Sequence, residues 1–182
     1  METIKIAFFA LGIFFGIETA SVIAEKTIVT VDPVATTINI QLKNLTAVYP
    51  KEKGNASIDT EFAKIYHKKE NWNVQLDSFS EKSIVYSSPE KGVLDATITL
   101  KYNKPEDLNI FAIDVNREGK YSLINIPQWN LKTTDGKQNG NYWNFEPNTT
   151  FTFSLAPLEN IPATYTAEKE LLYSIWEKIS KR

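Results

Sequence analysis

Apolar and polar side chains alternate along several segments of the chain, and this is the feature that most restricts its fold. In residues 94–102 every second side chain, from Leu94 to Tyr102, is apolar and its neighbours are polar. Residues 37–42 and 150–155 repeat the pattern. A period of two puts one set of side chains on one face of a β-strand. Strands of this kind usually belong to antiparallel sheets that have one face in water.

Turn residues separate the alternating segments at fairly regular intervals and predict eight or nine strands. Asn116–Gly119 predicts a hairpin turn because its glycine suits a positive φ, and Asp135–Gly140 predicts a longer hairpin loop. The predicted pairs are 108–115 with 120–126, 131–133 with 141–145, and 73–79 with 83–86. We therefore expect an antiparallel β-sandwich, immunoglobulin-like or similar, with a small β-barrel as the alternative.

Two helices are predicted beside the strands. Residues 59–69 place apolar side chains on one face of a short helix, and residues 166–180 form a second, C-terminal helix. The apolar stripe of the second helix is suited to dock on the sandwich, or else to bind a partner protein. The residues that would bind the partner are Leu172, Ile175, Trp176 and Ile179.

The N-terminus has the pattern of a secretory signal peptide. Lys5 precedes twelve residues, Ile6 to Ile17, that are apolar apart from two glycines. Such a run is too short to span a membrane, which takes about twenty apolar residues. Val22 and Ala24 suit the −3 and −1 positions of a cleavage site, which predicts cleavage before Glu25. The alternative is that residues 6–17 form a buried helix or strand of the domain.

This interpretation predicts an exported protein, with residues 1–24 as leader and 25–182 as one β-sandwich domain. The chain has no cysteine, so a lipid anchor on an N-terminal cysteine and a disulfide framework are both excluded. We expect a secreted or periplasmic bacterial protein without a membrane span once the leader is removed. The net charge is −2, and no basic stripe suits a phosphate backbone, so nucleic acid is not an expected partner.

A six-residue run, Asp114 to Gly119, resembles the start of a calcium-binding EF-hand loop. Asp114, Asn116 and Glu118 have oxygen-bearing side chains at a spacing that suits one hard cation. The twelfth loop position is Asn125, which has no carboxylate, and a strand precedes the run where an EF-hand has a helix. The alternative is a plain hairpin, because tight turns recruit the same residue types.

Aromatic residues provide the main functional hypothesis. In a strand, Trp143 and Phe145 share one face and Tyr142 takes the other, so at least one large ring points away from the core. Exposed rings beside amides suit sugars, because rings stack on their C–H faces and amides bond their hydroxyls. The predicted carbohydrate platform consists of Trp129, Tyr142, Trp143, Gln128 and Asn144; the alternative is that these rings fill the core.

Catalysis is the less favoured hypothesis. The single histidine, His67, is followed by Lys68 and Lys69, and no Gly-x-Ser-x-Gly motif accompanies it, so the sequence does not indicate a catalytic triad. A hydrolase would need paired carboxylates from hairpin loops, and the sequence does not pair them. The candidate loop carboxylates are Asp114, Glu118, Asp135 and Glu146. We expect a non-enzymatic binding or structural module without a cofactor, apart from calcium. Its partner would be a protein or a glycan, and an oligomeric state does not follow from the sequence.

Overall fold

The structure is a computed structural model that describes residues 5–17, 21–50, 58–67, 71–160 and 167–181. These residues form two antiparallel sheets of six and four strands, with two α-helices packed nearby. The prediction of a mainly β, sandwich-like fold is confirmed, and the sheets do not close into a barrel. The described residues contain ten strands, one more than the upper end of the expectation.

The first sheet is built around a long hairpin of β1 (Val22–Asp32) and β2 (Thr37–Pro50). Asp32 closes its turn, because Oδ1 accepts hydrogen bonds from the backbone N–H groups of Val34 and Ala35. The strand order is β3-β4-β2-β1-β9, and β10 also pairs with β2. The remaining strands are β3 (Glu81–Ser87), β4 (Asp95–Lys101), β9 (Phe151–Leu155) and β10 (Ala167–Leu171).

The long strand β2 changes its buried face at Asn44. Its buried apolar residues have even numbers from Ile38 to Leu42 and odd numbers from Leu45 to Tyr49. Asn44 has a φ of +50°, a left-handed conformation that asparagine tolerates better than most residues. Before this residue β2 pairs with β4, and after it with β10. One strand therefore holds two neighbours along the same edge.

The second sheet has the order β5-β6-β8-β7. Its inner side chains pack against β9, and the Phe145 and Phe151 rings stack with their centroids 4.2 Å apart. Tyr121 lies 5.5 Å from Phe151, also between ring centroids. The opposite face of the sheet has exposed side chains, among them Asp114 and Tyr142, and one buried polar side chain, Ser122. The strands are β5 (Ile113–Val115), β6 (Tyr121–Ile124), β7 (Lys137–Asn139) and β8 (Tyr142–Phe145).

The N-terminal apolar run lies inside the core. The Phe8 ring stacks on Phe111 with centroids 5.3 Å apart and meets Phe153 edge-on at 5.4 Å. Phe15 lies 5.0 Å from Trp72. Residues 11–15 form a 3-10 helix. The buried apolar side chains of the run are Ile6, Phe8, Ala10, Leu11, Phe14 and Phe15.

Backbone hydrogen bonds also hold this segment. The Ala24 N–H donates to the Phe9 carbonyl at 2.9 Å, and the Ile6 N–H donates to Ile110 at 2.7 Å. The bond before Glu25, where cleavage is predicted, lies between the third and fourth residues of β1. In the chain described, residues 5–17 thus contribute to the core; removal of residues 1–24 stays a prediction.

The helices are α1 (Ile58–His67) and α2 (Tyr173–Ser180). The first matches the expected 59–69, of which residues 68 and 69 lie outside the described part. The second is shorter than the expected 166–180, because residues 167–171 pair with β2 as β10. Residue 166, the expected start, is not among the described residues. None of the helices in the described ranges has the length and apolar character that a membrane crossing requires.

Two predicted strand pairings are wrong, and a third is shorter than predicted. Of the predicted strand 108–115 only Ile113–Val115 pairs with β6, because Pro105–Phe111 forms a 3-10 helix. Residues 73–79 do not form a strand; they contain a 3-10 helix at Val74–Leu76, and the Asn73 side chain accepts a hydrogen bond from the Gln75 N–H. Residues 131–133 do not pair with 141–145, since Lys132 bridges to Ser154 on β9. The partner of β8 on that side is β7, which lies within the predicted loop 135–140.

Candidate functional site

A row of polar side chains crosses the outer face of the second sheet. The strand register places Asp114 opposite Ser122, Ser122 opposite Asn144, and Asn144 opposite Lys137. Directly paired residues point to the same face of a sheet. With neighbouring strands about 4.8 Å apart, the row is about 14 Å long. We call these four residues the polar row.

A second row runs beside it, two residues along each strand. Ile124 lies opposite Tyr142, and Tyr142 lies opposite Asn139. Tyr142 is 47% exposed and lies on the same face as Asn144, two residues away along β8. The period of two correctly predicts that Tyr142 points away from the core while Phe145 points into it.

Five residues of the two rows and two residues of the β5–β6 loop line an open cleft of about 330 Å³; Lys137 and Ile124 lie outside it. Every lining residue has a polar group in its side chain, and Tyr142 contributes the aromatic ring. Because most of these side chains stand on paired strands, their positions are set by the sheet. The lining residues are Asp114, Asn116, Glu118, Ser122, Asn139, Tyr142 and Asn144.

Asn116 fixes the loop at one end of the cleft. Its Oδ1 accepts hydrogen bonds from the backbone N–H groups of Glu118 at 2.9 Å and Lys120 at 3.1 Å. Its Nδ2 donates to Asn144 Oδ1 at 3.1 Å. Gly119 takes the positive φ of +78° that the turn requires. The loop and the strand behind it are therefore joined before any ligand arrives.

This geometry favours the plain hairpin over the calcium loop. The Asn116 oxygen, one of the three expected ligands, is already bound to two backbone N–H groups. Glu118 lies 3.8 Å from the Lys120 ammonium, which competes with a cation for the carboxylate. Within the described ranges, no three histidine, aspartate or glutamate side chains come close enough to hold a metal ion. Calcium binding by Asp114, Asn116 and Glu118 stays a prediction.

The structure divides the predicted carbohydrate platform. Tyr142 and Asn144 line the cleft, but Trp143 faces the inner side of the sheet opposite Leu123 and packs against the core. Gln128 and Trp129 belong to a separate 3-10 turn, Pro127–Trp129. The Trp129 ring meets Phe9 at 5.8 Å between centroids. Neither tryptophan lines the cleft with Tyr142.

The apolar stripe of α2 is directed mainly toward the chain's own core. Leu172 and Ile175 are buried, at 0% and 4% exposure, and Trp176 and Ile179 pack against the core in part. Ile175 and Ile179 also line a groove of about 590 Å³ between α1 and α2, together with Lys64 and His67 of α1. The arrangement matches docking on the sandwich, the first of the two expected roles.

The loop carboxylates of the hydrolase hypothesis have structural contacts. The Lys120 ammonium lies 3.2 Å from Glu146 and 3.8 Å from Glu118, so it holds both side chains. Asp135 accepts a hydrogen bond from the Thr152 N–H at 2.8 Å and lies in a different cleft beside β9. Asp114 is the carboxylate of the cleft without an ion-pair partner among the described residues.

Sequence reasoning missed Ser122 and Asn139 as parts of the site. Asn139 falls in a stretch of polar residues that has no alternation, and its strand is visible only through its pairing with β8. Ser122 gains its place because it lies between Asp114 and Asn144. A register, which the sequence does not display, brings these residues together.

No family model, curated protein or solved structure matches this chain.

Proposed function

We propose that the protein is a non-catalytic binding module and that its ligand, a carbohydrate, lies in the cleft on the outer face of the second sheet. The exposed Tyr142 ring beside the Asn144 amide and the Ser122 hydroxyl carries this proposal. An aromatic ring stacks on the apolar C–H face of a sugar, and amide and hydroxyl groups exchange hydrogen bonds with its hydroxyls.

The strand pairing supports a role in recognition because it holds the cleft rigidly. Asn144 is paired on both sides, with Ser122 and with Lys137, and its side chain is further held by Asn116. Groups that are fixed before binding lose little conformational entropy when the ligand arrives. The Tyr142 phenol itself has few rotatable bonds, so it offers contact area at small entropic cost.

The test is a titration of the full chain with a panel of neutral oligosaccharides, followed by isothermal calorimetry on those that bind. Tyr142→Ala should weaken binding about tenfold or more, since it removes the stacking surface. Tyr142→Phe keeps the ring and should stay within about threefold of the original affinity.

Val85→Ala is the matched control, because Val85 is 61% exposed on the first sheet and lies outside the cleft. It should bind as the original chain does. The proposal fails if no oligosaccharide binds the original chain. It also fails if Tyr142→Ala binds as tightly as Val85→Ala.

A further inference from the structure

The charges that face the cleft have one sign. Asp114 and Glu118 are the charged residues among its lining, and neither lysine nor arginine lines it. Glu118 is partly neutralised by Lys120, whereas Asp114 has no ion-pair partner in the described part of the chain. The cleft therefore offers a carboxylate whose charge is available to a ligand.

Asp114 also has a fixed position. It lies on β5 opposite Ser122. In the amide orientation that satisfies the hydrogen bonds of Asn109, Asn109 Nδ2 donates to Asp114 Oδ1 at 3.1 Å. This contact leaves Oδ2 and the second lone pair of Oδ1 for a ligand. Glu118, by contrast, lies on the loop and its side chain is 73% exposed. Of the two carboxylates, Asp114 is the better placed to select between ligands.

The cation of the polar row is too distant to cancel this charge. Lys137 lies at the opposite end of the row, where its Cα is about 14 Å from that of Asp114 by strand spacing. At physiological ionic strength the screening length is about 8 Å, so Lys137 affects Asp114 little. Lys120 is held between Glu118 and Glu146 and is directed to those two carboxylates.

From this geometry, and resting on the proposed function, we infer that the cleft takes uncharged sugars and rejects acidic ones, with Asp114 as the specificity-determining residue. A carboxylate accepts hydrogen bonds from two adjacent hydroxyl groups of a sugar, and such charge-assisted bonds are stronger than neutral ones. An acidic sugar brings a second negative charge to the same place, and like charges facing each other select against that partner.

The experiment compares each neutral oligosaccharide that binds with the uronic acid of the same stereochemistry. The original chain should bind the neutral sugar at least about tenfold more tightly. Asp114→Asn should reduce that preference to about threefold or less, because it removes the charge and keeps the size. Asp77→Asn is the same substitution at an exposed site outside the cleft and should leave the preference for the neutral sugar unchanged. Thermal melts check that each variant is folded.

The outcomes separate this inference from the proposed function. Binding of the uronic acid as tightly as the neutral sugar overturns the inference and leaves carbohydrate binding in place. An unchanged preference in Asp114→Asn also overturns it, since the selectivity would then come from elsewhere. If neither sugar binds, the proposed function and the inference fail together.

Discussion

At the scale of the residue, Asp95 holds the point where β2 changes its buried face. Asp95 is buried, and its carboxylate accepts a hydrogen bond from the Asn44 N–H at 2.9 Å and from the Lys43 ammonium at 3.0 Å. Asn44 in turn donates to Glu25 on β1 at 2.8 Å. The left-handed backbone of Asn44 is thereby tied to both neighbouring strands.

Asp95→Ala should destabilise the protein by about 1–3 kcal/mol, because it leaves the Asn44 N–H without its partner beside a buried strand. Urea unfolding measures the change. Glu81→Ala is the matched control: Glu81 also pairs with a lysine across two strands, but its side chain is 73% exposed. An exposed pair contributes about 0–1 kcal/mol. Equal losses in the two variants would contradict the role given to Asp95.

Residue-scale patterns in the sequence predict orientation but not contact. The outward direction of Tyr142 follows from alternation along one strand, and so does the inward direction of Phe145. The residues that surround Tyr142 in the cleft do not follow from this alternation. Asp114, Ser122 and Asn144 meet through the pairing of three strands. A shift of one residue in any of these pairings would move all side chains of the shifted strand to the other face of the sheet.

Tyr86 on β3 and Tyr102, which directly follows β4, illustrate the same limit. Burial, together with the neighbouring Tyr66, raises the pKa of Tyr86, and its hydroxyl has no hydrogen-bond partner among the described residues. Burial also raises the pKa of Tyr102, whose hydroxyl lies 3.4 Å from that of Tyr121. The alternation in the sequence places Tyr102 on the apolar face. The neighbouring hydroxyl belongs to Tyr121 of the second sheet, which the alternation does not predict.

At the scale of the element, β10 shows how tertiary contacts override helix propensity. Residues 167–171 (Ala-Glu-Lys-Glu-Leu) favour a helix by composition, and the sequence predicts a C-terminal helix over 166–180. The edge of β2 beyond Asn44 offers unpaired backbone groups, and residues 167–171 satisfy them as a strand. The helix then begins at Tyr173. Local helix propensity cannot predict this strand, because the pairing partner lies more than 100 residues away in the sequence.

The short strand β7 is likewise not predicted by the local sequence. Lys137, Gln138 and Asn139 are all exposed and polar, so they show no alternation. They pair as a strand because Gly140, with a φ of +58°, turns the chain back onto β8. The turn consists of residues 140 and 141, so the hairpin is tighter than the predicted 135–140 loop.

Leu172→Ala should destabilise the protein by about 2–5 kcal/mol, since Leu172 is fully buried where β10 meets α2. Leu171→Ala is the matched control: the same substitution one residue earlier, at a side chain that is 49% exposed, should cost less than about 1 kcal/mol. Chemical unfolding measures both. Similar stability of both variants, with loss of a partner protein, would instead favour the partner-binding role of the helix.

At the scale of the whole molecule, the N-terminal apolar run admits two outcomes that the sequence alone does not separate. A short apolar segment suits the leader of an exported protein and also the inside of a domain. The structure shows how the second outcome works: Phe8 and Phe14 both contact Phe111, and the backbone of the run is bonded to β1 and to Ile110. Removal of residues 1–24 after export stays a prediction and is an alternative to this packing; the N-terminal mass of the protein from its own cells decides between the two.

The energetic consequence of removal is large. Burial of each large apolar side chain contributes about 1.5–3 kcal/mol, and residues 1–24 include at least six that are fully or almost fully buried. Their sum is comparable with the entire free energy of unfolding of a typical domain, about 5–15 kcal/mol. Removal would also take Val22, Ile23 and Ala24 from β1 and leave Leu45 and Ala47 of β2 without their partners.

The most direct test of the fold described here is the urea unfolding of residues 25–182 beside that of the full chain, followed by near-ultraviolet circular dichroism. We expect the shortened chain to lose its cooperative transition and its fixed aromatic packing, because the core that supports the second sheet is left open beside Phe111 and Phe153. A shortened chain that unfolds cooperatively at the same urea concentration as the full chain would contradict this account.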